Sequence, residues 1–351
     1  MSGAKTKPRP SGAMPEWARS LKQFREGSWG RGIAQLLNTV VPYLLILATM
    51  VAAVVRGVPY WIVLLLLVPA ALFLVRTFII FHDCCHGSFL PSKRANRIVG
   101  FVTGVLTFTA YEPWRMSHLK HHATNGQLDH RGSGDIMMMT YEEYRSASRL
   151  KRFQYRLYRS PVVLFVLGPF YNFLIFNRFT GANGKPAERR SLWLTNAAIV
   201  GLAVGVSAAF GFGVYLAVQL PVILLGGAVG IWLFYVQHQF EPGYWARDGE
   251  WNQLDAAIYG ASHYRLPPVL RWFTGNIGIH HVHHLQPRIP NYRLPRALRS
   301  APQASFIRPL TLFRSFLAVR INLWNELQRR YMSFREAHRL MRAHARGVGA
   351  G

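Results

Sequence analysis

Four long apolar runs constrain the fold of this chain more than any other feature of its sequence. Each run, as a helix, is long enough to cross the roughly 30 Å hydrocarbon core of a bilayer. Short turns join the first run to the second and the third to the fourth, so each pair is expected to form a helical hairpin. The sequence therefore predicts an all-α integral membrane protein with four transmembrane helices in two hairpins. The runs are residues 33–55, 60–81, 192–211 and 213–236.

Three clusters of histidines share one spacing: HDCCH at 82–86, HLKHH at 118–122 and HHVHH at 280–284. Residues three and four apart lie on one face of a helix, so each cluster directs two or three imidazoles toward one point. Eight imidazoles exceed what one metal ion can bind, so the sequence predicts a two-metal site. His238, which follows the fourth run, is predicted as a ninth ligand. Three histidines stay unassigned: His130, His263 and His281.

The donor set alone does not identify the metal, because imidazole suits iron, copper, zinc and nickel. Zinc proteases need a Glu within H-E-x-x-H, and ferritin-like di-iron sites use Glu and Glu-x-x-His. Neither pattern occurs in the three clusters. A membrane enzyme has lipid as its accessible substrate, and attack on unactivated hydrocarbon needs oxygen activation by a redox metal. The setting therefore favours iron.

The basic residues are distributed as expected for a membrane topology. The formal net charge is +26, yet the mean hydropathy is +0.10. Lys and Arg concentrate before residue 33, between 112 and 190, and after 238, whereas the two hairpin turns contain only Arg56. This bias predicts that both termini, the central segment and the metal site are cytoplasmic. Anionic membrane lipid and an acidic protein are the expected partners of this face, and nucleic acid is not.

Two further apolar stretches, 98–109 and 161–178, are not predicted to cross the membrane. The first lies between two histidine clusters that must share one side, so it is expected to be interfacial or re-entrant. The second is interrupted by Gly168 and Pro169 and is expected to lie on the membrane surface.

Basic segments flank the membrane domain, which we assign to residues 33–298. Residues 1–32 are expected to be cytoplasmic and loosely ordered as far as Trp29. Residues 299–351 form a basic tail, in which Leu, Phe and Trp mix with Arg between about 310 and 341. This mixture predicts a basic amphipathic helix along the membrane or over the metal site.

The three clusters in this order, with an isolated histidine after the fourth run, resemble the membrane fatty acid desaturases. Residues 274–294 (TGNIGIHHVHHLQPRIPNYRL) are similar to the bacterial omega-6, or delta-12 type, acyl-lipid branch, and residues 81–89 (FHDCCHGSF) fit the same branch. The resemblance covers roughly residues 40 to 298. It implies a four-helix stem in the bacterial inner membrane with a cytoplasmic di-iron cap. It also implies dioxygen as co-substrate, two external electrons per turnover and a cis double bond in the product.

The same resemblance implies particular ligands and neighbours. Some desaturases have an Asn one helical turn before the isolated histidine, but Phe234 occupies that position here. Asn276, four residues before His280, is predicted as a substitute. Asp83 is predicted to orient a ligating histidine through its second ring nitrogen. By position, the implied iron ligands are His82, His86, His118, His121, His122, His280, His283 and His284, together with His238.

The electrons are expected to come from a separate protein. The sequence has no H-P-G-G motif of a fused cytochrome b5, and its two cysteines, Cys84 and Cys85, are too few for a fused ferredoxin or rubredoxin. A ferredoxin-like acidic carrier docked on the basic cytoplasmic face is therefore the expected donor.

Two other functions stay open at this point. A sister membrane di-iron enzyme, such as an alkane hydroxylase or a carotenoid hydroxylase or ketolase, would add oxygen instead of a double bond. A histidine-rich metal transporter would need ionisable residues inside its spans. Here only Arg76 lies within a predicted span, close to its end.

Overall fold

Apolar helices of 25 to 27 residues, paired as two hairpins, are the main elements of the structure. The computed structural model describes residues 14–132, 134–306 and 308–347. Besides short 3₁₀ turns, the helices in this part of the chain are α1 (Glu16–Ser20), α2 (Trp29–Val55), α3 (Tyr60–Cys85), α4 (Lys93–Leu106), α5 (Tyr111–Thr124), α6 (Tyr141–Ser146), α7 (Arg149–Tyr158), α8 (Val163–Arg178), α9 (Pro186–Phe210), α10 (Phe212–His238), α11 (Gln253–Tyr259), α12 (Pro268–Phe273), α13 (His280–Leu285), α14 (Leu294–Ser300), α15 (Leu312–Ser315) and α16 (Phe334–Gly347). The strands are β1 (Met139–Thr140), β2 (Tyr264–Arg265), β3 (Leu310–Thr311), β4 (Leu323–Asn325) and β5 (Arg330–Met332).

The hairpins α2–α3 and α9–α10 contain the four helices that are long and apolar enough to cross a membrane. Their outer faces expose large apolar side chains such as Leu45, Trp61 and Val204, as helices in contact with lipid do. The predicted all-α membrane fold is confirmed. The helices extend beyond the predicted runs, and α3 and α10 continue to Cys85 and His238. Hydropathy marks only the lipid-facing part, whereas protein contacts bury the polar ends of α3 and α10.

The centre of the bundle is the contact between α3 and α10. Gly226 of α10 lies so close to α3 that a Cβ atom there would be 2.7 Å from Leu74 Cδ2. Buried side chains of α2, including Tyr43 and Met50, pack against the same core. The absence of a side chain at Gly226 therefore permits this close helix packing.

The two shorter apolar stretches are helical. The first belongs to α4, which is too short to count as a span and packs along α3. The second forms α8, which contains two π-helical turns and packs against α10. Helices α7 and α8 meet at a bend of 56° and together are long and apolar enough for a fifth crossing. The surface location of 161–178 stays a prediction.

Residues 16–24 are more ordered than predicted. Leu21 and Phe24 are buried in the main core, and Arg25 Nε donates a hydrogen bond to Gln286 Oε1 at 2.8 Å. Apolar residues at positions 18, 21 and 24 recur at helical spacing, which gives this basic segment one buried face. The first 13 residues of the predicted 1–32 segment lie outside the described residues.

The single amphipathic helix predicted between about 310 and 341 is wrong. This part of the tail forms β3, α15 and a hairpin of β4 and β5, and only α16 is a helix of several turns. Strand β4 pairs in parallel with β1 and antiparallel with β5. Leu323, Trp324 and Tyr331 are buried there, so their apolar side chains pack against the protein instead of a membrane surface.

Candidate metal centre

The nine histidines predicted as ligands converge at one end of the bundle. His82 lies in the last turn of α3, and His86 is the first residue after this helix. His238 is the last residue of α10. Helix α5 contributes the second cluster and α13 contributes the third. The sequence clusters are therefore helical, as their spacing predicted, and the fold brings together residues more than 200 positions apart.

The histidines form two groups, and within each group the candidate ligand nitrogens lie within 4.8 Å of one another. Each H-x-x-H-H cluster divides in the same way. Its i,i+4 pair points to one group and its remaining histidine to the other, because neighbouring residues face different sides of a helix. The first group is His82, His86, His118, His122 and His283, and the second is His121, His238, His280 and His284.

Distances between Nε2 atoms fit a shared cation in each group. In the first group His118 Nε2 is 3.0 Å from His86 Nε2 and 3.1 Å from His122 Nε2. In the second group His238 Nε2 is 3.1 Å from His121 Nε2 and 3.0 Å from His280 Nε2. Two imidazole nitrogens at right angles around an ion about 2.1 Å away would be about 3.0 Å apart.

Hydrogen bonds alone do not satisfy these nitrogens. Each imidazole nitrogen either donates one N–H or accepts through one lone pair. His118 Nε2 lies between two other ring nitrogens, and His122 Nε2 contacts both it and His283 Nε2, at 3.1 Å each. In such a series a nitrogen with two nitrogen neighbours can form a hydrogen bond with only one of them. A cation at the centre of each group therefore accounts better for the geometry.

Burial favours the neutral form of three imidazoles in the first group. It lowers the pKa of His118, His122 and His283 well below the usual range of a histidine, and repulsion from neighbouring imidazolium groups lowers it further. Neutral imidazole is the form that binds metal, so these side chains offer lone pairs near neutral pH.

Asp83 lies where the sequence predicted a supporting carboxylate. Its Oδ1 is 3.1 Å from His82 Nδ1, and its Oδ2 accepts hydrogen bonds from the backbone N–H of Asn291 at 2.6 Å and from its side-chain amide at 2.8 Å. Gln35 Nε2 in turn donates to Asn291 Oδ1 at 3.0 Å. This arrangement fixes the ring of His82 and leaves its Nε2, buried and without a hydrogen-bond partner, facing the site.

Sequence reasoning did not identify Asn291, Gln35 or the carbonyl of Gly260, which accepts from His238 Nδ1 at 3.0 Å. A polar Gln inside the first apolar run was the one available signal for this network. A backbone carbonyl has no sequence signature, and Asn291 acts through contacts with residues far away in the chain.

Asn276, predicted to substitute for the Asn of some desaturases, does not share a helix with His280, and its role stays a prediction. Helix α13 begins at His280, and Asn276 lies in the turn before it with a φ of 59°. Its side-chain amide lies 3.5 Å from the carbonyl oxygen of Asn291. At position 234, the Phe ring lies 5.3 Å from the His121 ring and 5.1 Å from the His238 ring, between centroids.

The three unassigned histidines lie outside both groups. His130 is 3.6 Å from Asp248 on the surface, and His263 and His281 pack against each other with ring centroids 5.4 Å apart. Cys84 and Cys85 are buried free thiols.

An apolar cavity of about 720 Å³ extends from the histidines into the bundle. His82, His118 and His280 form part of its wall, and so do residues of α3, α5, α8 and α10. Ser117 and Tyr158 add polar groups to the lining. The volume is in the range of small-molecule sites, and the predominantly apolar wall suits a hydrocarbon.

A second, more polar opening of about 510 Å³ reaches the centre from another direction. It is lined by His122 and His284, one from each group, and by the basic side chains Arg19, Lys22 and Arg25. The two cavities therefore reach different histidines of the same centre.

Comparison with known proteins identifies the family. Residues 58–305 match the family model of fatty acid desaturases. This chain belongs to the fatty acid desaturase family. It is 46% identical over 317 residues to a fatty acid desaturase of Bacillus subtilis (strain 168), and the alignment covers 90% of each protein.

Plant desaturases are more distant relatives. An omega-3 fatty acid desaturase of the endoplasmic reticulum from Vigna radiata is 27% identical, over 64% of this chain and 60% of the relative. A chloroplastic omega-6 fatty acid desaturase from Arabidopsis thaliana is 26% identical, over 64% of this chain and 49% of the relative. Family membership makes this protein an oxidoreductase, and its helices make it an integral membrane protein with a candidate metal site built from histidines.

Proposed function

We propose that this protein is an oxygen-dependent di-iron desaturase that introduces a cis double bond into the acyl chains of membrane lipids. The observation that supports this most directly is the apolar cavity whose wall includes histidines of both groups, His82 and His118 from the first and His280 from the second. An acyl chain in this cavity would lie beside both candidate metal positions. We assign this activity to the membrane domain, residues 33–298.

The residues present fit iron in both groups. Bound iron would supply the activation of dioxygen that removal of hydrogen from unactivated methylenes requires. The nine histidines would hold it, and Asp83 and Gly260 would fix the rings of His82 and His238 through Nδ1. The apolar wall would align the acyl chain and exclude water from the reacting carbons.

We further propose the delta-12, or omega-6, position, with a monounsaturated C18 chain converted to a dienoic one. Its support is the likeness of residues 274–294 to the omega-6 branch. The 46% identity to a fatty acid desaturase favours desaturation over hydroxylation of an alkane or carotenoid. Arg76, the ionisable residue within the predicted spans, donates hydrogen bonds to Thr39 and to the carbonyl of Trp272. These contacts give it a structural role, which argues against the metal-transporter alternative.

The electron donor is proposed to be a separate acidic, ferredoxin-like carrier. The basic side chains around the second opening, Arg19, Lys22 and Arg25, support this choice because they surround two candidate ligands. The charge bias of the sequence supports a cytoplasmic location for this face and for both termini, in a bacterial inner membrane.

Expression in a bacterium that lacks desaturases tests the proposal. We expect a new cis-unsaturated fatty acid in the lipids only under oxygen, and two iron ions per purified chain. His283→Ala should abolish the product, whereas His338→Ala, in α16 and outside both groups, should have little effect. A hydroxylated product as the only product, a single metal per chain, or two zinc ions in active enzyme would contradict the proposal.

A further inference from the structure

One face of α10 forms part of the wall of the apolar cavity. Its lining residues recur at intervals of three or four positions, near 223, 226, 230, 233 and 237, as one helical face requires, and they include Ile223, Gly226, Gly227, Gly230, Phe234 and Gln237. Glycine at three of these positions leaves the wall without side chains for more than one turn. The same cavity contains the buried, unpartnered Nε2 of His82, which lies among the candidate ligands.

The three glycines have different surroundings. A Cβ atom at Gly226 would be 2.7 Å from Leu74 Cδ2, and one at Gly227 would be 2.8 Å from Phe173 Cδ2. A side chain at either position would have to displace Leu74 of α3 or Phe173 of α8, so both glycines favour close helix packing. A Cβ atom at Gly230 would meet no atom within 4 Å. Because Gly230 lines the cavity, the space beside it is cavity space.

Gly230 lies between the histidines and the far end of the cavity. It precedes His238 by eight residues, which is about 12 Å along the helix at a rise of 1.5 Å per residue. Phe234, one turn nearer, contacts the rings of His121 and His238. Ile223 and Leu74 continue the apolar wall past Gly230, away from the metal centre. An acyl chain that extends from the metal centre to this far end runs alongside the helix face that contains Gly230.

We propose that Gly230 is a specificity-determining residue, which sets how long an acyl segment the cavity accepts beyond the reacting carbons. This inference rests on the proposed function. A larger side chain would extend into the cavity without displacing the surrounding protein. It would obstruct long chains while leaving the centre, and the shorter chains that end before it, unaffected. In an apolar pocket, two substrates that differ by one methylene are discriminated by about tenfold or more.

The experiment compares Gly230→Ala, Gly230→Leu and Gly230→Phe with wild type in a desaturase-deficient host supplied with monounsaturated C14, C16 and C18 chains. The matched control is Gly205→Leu, since Gly205 lies on the exposed face of α9 and its Cβ also would meet no atom within 4 Å. Bound metal and dispersity of the purified proteins are measured alongside. We expect the ratio of C18 to C14 product to fall progressively, by about tenfold or more for Gly230→Leu, while Gly205→Leu matches wild type.

An unchanged ratio in Gly230→Leu would overturn the inference, and so would equal loss at every chain length in a variant that keeps its metal. If the larger variants do not fold, Gly230→Ala decides, because a smaller shift of the same sign is expected and its absence overturns the inference. A wild-type protein that makes no unsaturated product would overturn the proposed function itself, which is a different result from an unchanged ratio.

Discussion

At the scale of single residues, the spacing of the histidines contains most of the information about the candidate centre. A helix places residues 118 and 122 on one side and residue 121 on another, so local geometry already divides the ligands between two groups. The residues that hold the ligands could not be found this way. Asn291 contacts Asp83 across 208 positions of sequence, and no local pattern encodes that distance.

The carboxylate of Asp83 gives the first residue-scale prediction. Asp83→Asn keeps the shape of the side chain but offers only one acceptor oxygen to His82 and Asn291, which together need two. We expect metal affinity to fall by about tenfold to a hundredfold, as for other residues that orient a ligating histidine. Chelator competition on purified protein measures it.

The matched control is Asp248→Asn, because Asp248 lies on the surface beside His130 and outside both groups. Metal retention by Asp83→Asn equal to that of Asp248→Asn would show that the carboxylate does not support the site.

At the scale of elements, the existence of the long helices was predictable and their ends were not. The last residues of α3 and α10, beyond the apolar runs, are buried on all sides because protein, not lipid, surrounds these last turns. The tail was mispredicted for a related reason. Pairing of β4 with β1 joins Leu323 to Met139, and this long-range partner makes a strand of residues whose composition suited a helix.

The strand pairing in the tail predicts a structural role for Trp324. Its side chain is 2% exposed and packs edge to face on Tyr331, with centroids 5.1 Å apart. Trp324→Ala should therefore lower the free energy of unfolding by about 3–5 kcal/mol, the usual cost of truncating a buried aromatic residue. Thermal unfolding in detergent and limited proteolysis measure this change.

Phe313→Ala is the control for the tail, because Phe313 is 82% exposed. If both substitutions have the same small effect, the tail is not part of the folded core. A loosely attached membrane-surface helix, as the sequence alone suggested, would give that result.

At the scale of the whole molecule, the two cavities reach the candidate centre from different directions. The apolar cavity includes His82, His118 and His280 in its wall, and the polar opening includes His122 and His284. Hydrocarbon and an electron carrier could thus approach the same centre without competing for one entrance. The sequence predicted a basic face but not its position, because the opening joins the segment around α1 to α5 and α13, which are distant in the chain.

This separation gives a prediction for the donor. Reversing two charges at the polar opening, Arg19→Glu with Lys22→Glu, should slow turnover at subsaturating acidic carrier by about tenfold or more at low salt, because surface charge steers encounter. Raising the ionic strength until the Debye length falls below about 10 Å should slow turnover of the wild type and have less effect on the double variant.

The control is Arg149→Glu with Lys151→Glu, which makes the same change of charge on exposed positions of α7, away from the opening. A small neutral reductant in place of the carrier should support all three proteins equally. Equal losses in both double variants would mean that net charge alone matters, and salt-independent turnover of the wild type would exclude electrostatic docking at this opening.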